Sequence, residues 1–379
     1  MKRPFLLKKR GKYWYFRLST EKDFHSSGQT NKALAERHVI EIIRANKKKT
    51  NARQNMTLNE FAKDYFFWGK CPHARRLLEE GKTIGKKYMH DQRQLYKNHI
   101  QPNPIANTII SEIKHAQVLD FRSELLNKGI GPRTVNRAIG ILKILFKEGI
   151  FREELENNPT LGVGNVNYKP KEPGIFSVDE LRKLFSDSSF CPWKDIYDYT
   201  CFLIAATTGM RRGEILALRW KNIDFAKSLI KVIEAWKTED EIGKPKWNKV
   251  RIVPIPVKII QSIKALESYS IRINDEDLVF CNDDGTRFGG TWWKKRFNRA
   301  MNILKIDIKK RNIKPHSLRH SLNTHLLNAG CDPLKIQTFL GWSSNIIHFG
   351  NNLTNVQKGY THLQPEHLDV LVKTIEGIF

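Results

Sequence analysis

The stretch Pro315-His316-Ser317-Leu318-Arg319-His320-Ser321-Leu322-Asn323-Thr324-His325-Leu326-Leu327-Asn328 decides how the last part of this 379-residue chain folds. Its leucines Leu318, Leu322 and Leu326 recur every four residues, which predicts a helix with one buried face. Pro315 suits the first turn of such a helix. His316 and Arg319 then share a polar face with His320 and Asn323. Because the dipole at a helix start favours neutral imidazole, the stretch predicts a proton acceptor beside a guanidinium.

The net charge of the chain indicates which class of partner it binds. Lys and Arg number 65 against 39 Asp and Glu, which gives a formal net charge of +26 and a pI of about 9.8. Such an excess in a chain of ordinary hydrophobic content favours a polyanionic partner, and nucleic acid is the commonest one. A ribosome-associated or simply basic protein has the same balance, so charge alone leaves both interpretations open.

Cysteine usage and hydropathy bear on the compartment. Five cysteines are scattered without a Cys-x-x-Cys pair, which favours reduced thiols in a cytosolic protein over a zinc site. No apolar run approaches the roughly 18 residues of a membrane span, and the basic N-terminus lacks a secretory apolar stretch. We therefore expect a soluble, cytoplasmic protein with no membrane partner, associated with the nucleoid when it is bound to DNA.

Three domains are predicted along the chain. Residues 1–55 hold fifteen Lys and Arg against four acids, with a strand over Lys12–Leu18 and an Asn31-capped helix from Lys32 to about Ala45. The charge of this sheet-plus-helix unit favours DNA contact, although its aromatic side chains alone would suit a small core. Residues 56–158 are predicted to be helical. The apolar positions that carry this prediction are Phe61, Tyr65, Phe66, Trp68, Val118, Phe121, Leu125, Leu126, Val135, Ile139, Leu142 and Leu145.

A linker over 159–174, containing Pro and Gly, precedes a mixed but mostly helical domain over 175–379. Ser177–Glu180 matches a capping box. Leu229–Ala235 and Val250–Ile255 predict strands joined by a long hairpin. The fold class expected from the whole pattern is therefore mainly α, with small β elements. A short apolar tail follows, with Leu368, Leu371, Ile375 and Ile378, and it suits packing on its own domain or on a neighbouring protomer.

Two further clusters carry charge suited to a phosphate. In Gly209-Met210-Arg211-Arg212-Gly213-Glu214, Arg211 and Glu214 are three residues apart, so the carboxylate can fix the guanidinium. A guanidinium fork fits phosphate oxygens, although a surface ion pair gives the same pattern. On the predicted hairpin, Lys246 is placed to protonate a leaving oxygen. Lys237, Lys244 and Lys249 are its nearby rivals.

Four stretches resemble, in order, the sequence boxes of the tyrosine recombinase (phage integrase) family: Gly209–Glu214, His316–His320, Leu340-Gly341-Trp342-Ser343-Ser344 and Tyr360-Thr361-His362. The hairpin with Lys246 lies between the first two. The resemblance covers about Ile175 to Leu363. Each box alone has low specificity, whereas all of them in order are strongly specific. The preceding segments resemble the arm-type and core-binding domains of that family, which implies a multidomain clamp on duplex DNA.

The resemblance implies a role for each site residue. Arg211 and Arg319 would bind the scissile phosphate, Lys246 would be the general acid, and His316 would accept or donate a proton. Tyr360 would be the nucleophile that forms a 3′-phosphotyrosyl bond. This exchange conserves bond energy, so we expect neither a metal nor a nucleotide cofactor. The implied partners are double-stranded DNA, further copies of the chain in a tetramer, and an accessory DNA-bending protein.

Two departures from the family pattern stand out. Trp342 occupies a position where the family usually has histidine. Its indole N–H is a donor only, so it could bind a non-bridging oxygen or simply pack. The stretch from Ser343 to Gly359 is also longer than usual. It contains His348, for which a solvated loop position is favoured over a role as substitute for the missing histidine.

Competing functions remain at this stage. A type IB topoisomerase uses related chemistry but relaxes DNA without regard to site. A DNA-binding regulator or a decayed integrase would bind with a steep salt dependence and never cleave. A metal-dependent nuclease is disfavoured because the sequence has no clustered carboxylates of the kind that hold two metals.

Overall fold

The computed structural model describes residues 4–19, 21–186, 192–237, 241–245, 250–342 and 365–379, and for 44–54, 290 and 365 it describes the backbone alone. Over these residues the protein is mainly helical with small antiparallel sheets, which confirms the predicted fold class. It divides into two compact units, Met1–Lys169 and Pro170–Phe379. The boundary falls inside the predicted linker, whereas the finer division near residue 55 stays a prediction. Among the described helices, none has the length and apolarity needed to cross a membrane.

The first unit begins with a three-stranded antiparallel sheet in the order β1 (Phe5–Arg10), β2 (Tyr13–Leu18), β3 (His25–Ser26). Helix α1 (Lys32–Gln54) follows. The Asn31 side chain accepts a hydrogen bond from the Ala33 amide at 2.8 Å, as expected of a cap. The helix runs past its predicted end near Ala45 because neither Gly nor Pro interrupts the chain there.

The rest of this unit is helical. Its helices are α2 (Leu58–Phe61), α3 (Pro72–Glu79), α4 (Lys86–Leu95), α5 (His115–Asn127) and α6 (Pro132–Phe151). A π-helical turn, Tyr96–Ile100, and two 3₁₀ turns, Pro104–Asn107 and Ile110–Glu112, connect α4 to α5. The apolar stripe predicted for α6 is buried, and Pro132 lies in its first turn. The stripe thereby forms the centre of the core of these helices.

The helix predicted from the spacing of Phe61, Tyr65, Phe66 and Trp68 is wrong beyond its first turn. Helix α2 ends at Phe61, and Phe66 has a φ of 62°, in the left-handed region that helices exclude. Phe61, Tyr65 and Phe66 are nevertheless buried, whereas Trp68 is 46% exposed. A compact set of turns buries the aromatic side chains that periodicity assigned to a helix.

Much of the predicted linker is ordered against one unit or the other. Val163 is buried in the core of the first unit, and the Asn136 side chain forms two hydrogen bonds with the backbone of Val166, at 2.8 and 2.9 Å. In the second unit the Gly174 amide donates to the Asn312 carbonyl at 3.2 Å. Residues 167–173, between these anchors, are all exposed.

The second unit is built from helices on a small sheet. Its helices are α7 (Val178–Leu184), α8 (Ile196–Thr208), α9 (Arg212–Ile215), α10 (Val257–Tyr269), α11 (Gly290–Ile303), α12 (Ser317–Asn328), α13 (Pro333–Leu340) and α14 (Asp369–Ile378). The strands are β4 (Ile223–Asp224), β5 (Leu229–Val232), β6 (Ala235–Trp236), β7 (Ile242–Gly243) and β8 (Arg251–Pro254). Two 3₁₀ turns complete it, Trp220–Asn222 and Pro365–Leu368.

The predicted strands pair with one another. β5 lies between β4 and β8 in an antiparallel sheet, with Ile230 opposite Val253. The end of the predicted strand Leu229–Ala235 separates from β5, because Ala235 and Trp236 form their own hairpin with β7. The capping box at Ser177 and Glu180 is present in both directions. These elements enclose one core, which includes α8, α12 and α13.

The C-terminal helix α14 packs on its own unit. Leu371, Ile375 and Ile378 are buried in that core. The guanidinium of Arg182, on α7, donates to the carbonyl oxygens of Gly377 and Ile378 at 3.0 and 3.2 Å. Of the two placements that the sequence left open for the tail, the structure has packing on its own domain.

Candidate active site

Helix α12 places His316 and Arg319, but it does not leave both on an exposed face. Its leucines at positions 318, 322 and 326 are buried as predicted, and Arg319 is buried with them, only 2% exposed. Arg319 precedes Leu322 by three residues and Leu326 by seven, so a helix turns it towards the same interior. The prediction of a shared polar face is therefore wrong for Arg319.

Backbone carbonyls hold the buried guanidinium of Arg319. Its Nη1 donates to the Gly209 carbonyl and its Nη2 to the Leu340 carbonyl, the latter at 2.7 Å. Gly209 ends α8 with a φ of 59°, and a Cβ there would lie 2.3 Å from a methyl of Leu340. Only glycine fits this position, which brings its carbonyl oxygen to the arginine.

Arg211 is the residue before α9, and Glu214 fixes it from within that helix. The Glu214 carboxylate accepts from Arg211 Nη1 at 2.8 Å and from the Arg211 amide at 2.9 Å. The three-residue spacing predicted this contact. A second guanidinium, that of Arg251 on β8, donates from Nη2 to the same carboxylate at 2.9 Å. One buried acid thus holds two arginines.

The charges of this cluster shift its pKa values. Burial alone would raise the pKa of Glu214, but Arg251 and then Arg211 outweigh it and lower the pKa to about 2. Burial, with the positive charges of Arg211 and Arg251, lowers the pKa of Arg319 to about 9. Near neutral pH Arg319 is therefore charged and Glu214 is a carboxylate.

His316 lies directly before α12, with its ring edge-on to that of His320 at 4.9 Å. Although much of the residue is exposed, partial removal from water lowers the pKa of its imidazole to about 4. The positive charges of His320, Arg319 and Arg211 act in the same direction. The imidazole is thus neutral near pH 7, as predicted. The sequence argument used the helix dipole, whereas in the structure desolvation and neighbouring positive charge lower the pKa.

Trp342 packs beside Arg319. It follows Gly341, which ends α13 in the left-handed region, and its amide donates to the Gln337 carbonyl at 3.0 Å. The Arg319 guanidinium carbon lies 5.5 Å from the centre of the indole ring. The ring is partly buried against the core. A cation–π contact of this kind helps to hold the guanidinium in place.

The nucleophile and the general acid implied by the resemblance, Tyr360 and Lys246, lie outside the described residues. So do the alternative lysine Lys249, His348 and the whole of 343–359. Of the hairpin leading to Lys246, the structure describes 235–237 and 241–245, and Lys237 and Lys244 are exposed. Its Trp236 donates from the indole to the Leu216 carbonyl at 2.9 Å, so the hairpin lies against the segment following Arg211.

A cavity of about 240 Å³ opens beside His316 and Arg319. Two exposed cations, Arg212 and Lys314, line it together with these residues. The structure thus brings Arg211, His316, Arg319 and Trp342 together, close to the two exposed cations Arg212 and Lys314. This arrangement is suited to an anion with several oxygens, such as a phosphodiester.

Sequence reasoning assigned Arg251 no role in the site and missed its buried position. The available signal was the period of two along β8. Val253 faces the core, whereas Ile252 is exposed, so Arg251 had to face inward with Val253. A charged residue at an inward position of a strand needs a buried partner, and Glu214 is that partner.

Comparison with known proteins places the region of the site within one family model. The model of the phage integrase family matches residues 176–367, which contain all six predicted site residues. A XerC-like tyrosine recombinase from Caldanaerobacter subterraneus subsp. tengcongensis is 25% identical over 357 residues, which cover 86% of this chain and 84% of the relative. The ICEBs1 integrase of Bacillus subtilis is 26% identical over 287 residues, covering 72% of this chain and 75% of that protein.

Solved structures share the fold. An integrase of the transposon Tn1549, in complex with a circular intermediate DNA, aligns with a TM-score of 0.60 at 19% identity, over 80% of this chain and 97% of that one. A lambda integrase tetramer bound to a Holliday junction aligns with a TM-score of 0.59 at 14% identity, over 92% of this chain and 98% of that one.

Proposed function

The chain belongs to the phage integrase family, and from that premise we propose that it integrates or excises a mobile element by way of a covalent 3′-phosphotyrosyl intermediate. As a tyrosine recombinase it is an enzyme that breaks and rejoins DNA strands at specific sites. The observation that carries the proposal is the convergence of Arg211, from the start of α9, with His316 and Arg319, from the start of α12, with Glu214 holding Arg211.

In this proposal Arg211 and Arg319 bind the non-bridging oxygens of the scissile phosphate. Both stay charged near neutral pH, and both are held in place by protein acceptors before DNA arrives. Donors fixed in advance stabilise the charge of a transition state without a reorganisation cost. The Trp342 ring packs against the Arg319 guanidinium. Its indole N–H is a donor, so in this proposal it binds another oxygen of the phosphate.

The first transesterification balances without a cofactor. The phenolic oxygen of Tyr360 attacks phosphorus, its proton passes to neutral His316, and the bond to the 5′ oxygen breaks. The Lys246 ammonium gives its proton to that oxygen. Rejoining reverses these steps: another 5′-hydroxyl attacks, Lys246 takes up the proton, and His316 returns one to the phenol. A phosphodiester is replaced by a phosphotyrosyl ester and then restored.

Double-stranded DNA is the proposed substrate. The net charge of +26 supports such a partner. The similar structures include an integrase with DNA and a tetramer on a Holliday junction, which support assembly of this chain as a tetramer on its target. An accessory DNA-bending protein completes the proposed assembly.

The test is capture of the covalent intermediate. The substrates are a pool of nicked duplexes, tiled across the ends of the element that encodes the chain. After cleavage, the short strand that carries the new 5′-hydroxyl diffuses away, so rejoining cannot occur and the adduct is trapped. Wild-type protein should give a slower band on a denaturing gel, with DNA attached to the peptide that contains Tyr360. Tyr360→Phe should bind the same duplex in fluorescence anisotropy and give no adduct.

Tyr269→Phe is the matched control. Tyr269 is 72% exposed in the same unit, so removing its hydroxyl should leave adduct formation unchanged. An adduct that persists in Tyr360→Phe would refute the assignment of the nucleophile. Relaxation of any supercoiled plasmid without site preference would point to a topoisomerase instead.

A further inference from the structure

The C-terminal end of α13 gathers three arginines from three different elements. Two carbonyls of its last turn, those of Gln337 and Thr338, accept the backbone amides of Trp342 and Gly341. The next three carbonyls each accept a guanidinium. Arg251 Nε donates to Phe339 at 3.1 Å, Arg319 Nη2 to Leu340 at 2.7 Å and Arg211 Nη2 to Gly341 at 3.3 Å.

This arrangement has a simple physical basis. The last carbonyls of a helix lack partners within the helix, and they carry the negative end of its dipole. A guanidinium satisfies such a carbonyl and is attracted by the dipole as well. The helix end therefore sets the separation of Arg211 and Arg319, the two arginines that the proposed function assigns to phosphate.

Arg211 is partly exposed, and Arg319, although buried, lines the cavity beside His316. Arg251 is buried and is not among the residues that line that cavity. It is 8% exposed, and its Nε and Nη2 are bound to the Phe339 carbonyl and to Glu214. Gly341 lies directly over it, since a Cβ on Gly341 would be 2.9 Å from both Cδ and Nη1 of Arg251. With these contacts made and no place in the lining of that cavity, Arg251 is not positioned to bind a phosphate.

Arg251 is also the link between the helix end and Arg211. It joins the Phe339 carbonyl to the Glu214 carboxylate, and Glu214 in turn holds Arg211 by its guanidinium and by its amide. A planar fork with donors on two edges can make both contacts at once, whereas a lysine ammonium can replace only one.

We propose that Arg251 is a positioning residue of the recombinase site, which sets the orientation of Arg211 by tying Glu214 to the end of α13. This inference rests on the proposed function for the role of Arg211. It adds a residue that never touches DNA, but on which the geometry of the phosphate site depends.

The test measures single-turnover adduct formation on the nicked duplex captured by the wild type. Arg251→Met should lower the rate by about 100-fold, the loss expected when a reacting group is misplaced by about 1 Å. Arg251→Lys, which keeps a charge beside Glu214, should recover part of that loss. DNA affinity should stay within about 2-fold of the wild type for both, since Arg251 contributes only one buried charge.

Arg219→Met is the matched control. Arg219 pairs with Glu234 at 3.0 Å in the same unit, so its removal costs one positive charge and one Arg–Glu pair away from α13. It should retain the wild-type rate. If Arg251→Met does not fold, the double variant Arg251→Met/Glu214→Gln removes both buried charges, and replacement of both partners is better tolerated than loss of one. This double variant should fold, bind DNA and cleave slowly.

The pH profile separates positioning from a general loss of structure. Without Arg251, burial raises the pKa of Glu214 with only Arg211 to oppose it. Glu214 then takes up a proton at higher pH and releases Arg211. The acid limb of the cleavage profile should therefore move to higher pH in Arg251→Met, relative to both the wild type and Arg219→Met.

Two results would overturn the proposal: a wild-type rate in Arg251→Met or in the folded double variant, or an unchanged acid limb with a uniformly lower rate. Failure of the proposed function is distinguishable, because the Tyr360→Phe variant would then still form the adduct. Normal cleavage through Tyr360 in the Arg251 variants would remove only the positioning role.

Discussion

At the scale of single residues, the state of His316 decides whether the site can accept a proton. With a pKa of about 4 the imidazole is neutral near pH 7, where Arg319, with a pKa of about 9, is still charged. Desolvation first, and then the positive charges of His320, Arg319 and Arg211, keep His316 unprotonated before DNA arrives. Arrival of a phosphodiester adds negative charge beside the ring, which favours its charged form.

This account predicts a titration that changes on binding. In the DNA-free protein the His316 ring should titrate near pH 4, well below the usual value of about 6.5, since desolvation and positive neighbours disfavour its cation. With a non-cleaved duplex bound to Tyr360→Phe, its pKa should rise. Histidine ring NMR signals measure both states, and the signal missing from His316→Gln identifies the residue. A free-state pKa at or above 6.5 would contradict the proposed order of events.

At the scale of elements, local patterns predicted what depends on neighbours along the chain. The stripe of α6, the capping box at Ser177 and the pairing of β5 with β8 all follow from periodicity and turn chemistry. The helix after Thr57 was wrong beyond Phe61, because burial of aromatic side chains does not require helical backbone. Tertiary packing decided that segment, and one sequence does not contain its partners in readable form.

The candidate site shows the same limit. The spacing of Arg211 and Glu214 predicted their contact, and the boxes around His316 and Arg319 indicated phosphate chemistry. The convergence of three arginines on the end of α13 depends on contacts between residues 88 to 130 positions apart, or 21 in the case of Arg319. Such contacts follow from the fold of the whole unit, so Arg251 was missed.

The C-terminal helix offers a test at this scale. Leu371 is fully buried against its own unit, so Leu371→Ala should lower the free energy of unfolding by about 2–5 kcal/mol through lost burial and a cavity. Its neighbour Val370 is 48% exposed, and Val370→Ala should change it by less than about 0.5 kcal/mol. Urea unfolding of the dilute protein, followed by tryptophan fluorescence, measures both. Equal values would mean that the tail packs elsewhere, for example on another copy.

At the scale of the whole molecule, the distribution of charge separates two tasks. Residues 1–55 have fifteen basic and four acidic side chains, a net charge of +11 within the total of +26. The catalytic cluster needs few of these charges, because the positions of its arginines are set by backbone carbonyls and Glu214. Most of the excess is thus available for affinity, which depends on salt, while the site itself determines reactivity.

The division into two units predicts independent folding. The core around the site is formed entirely by residues from Phe176 onward, and Gly174 is anchored to Asn312 within the same unit. A fragment of residues 170–379 should therefore unfold in a single cooperative transition and give dispersed NMR spectra. A control fragment, 170–303, lacks α12 to α14 and the core residues they supply, so it should not fold. Two results would show that the catalytic unit depends on residues 1–169. Either the fragment 170–379 does not fold, or it binds a hydrophobic dye that the full chain does not bind.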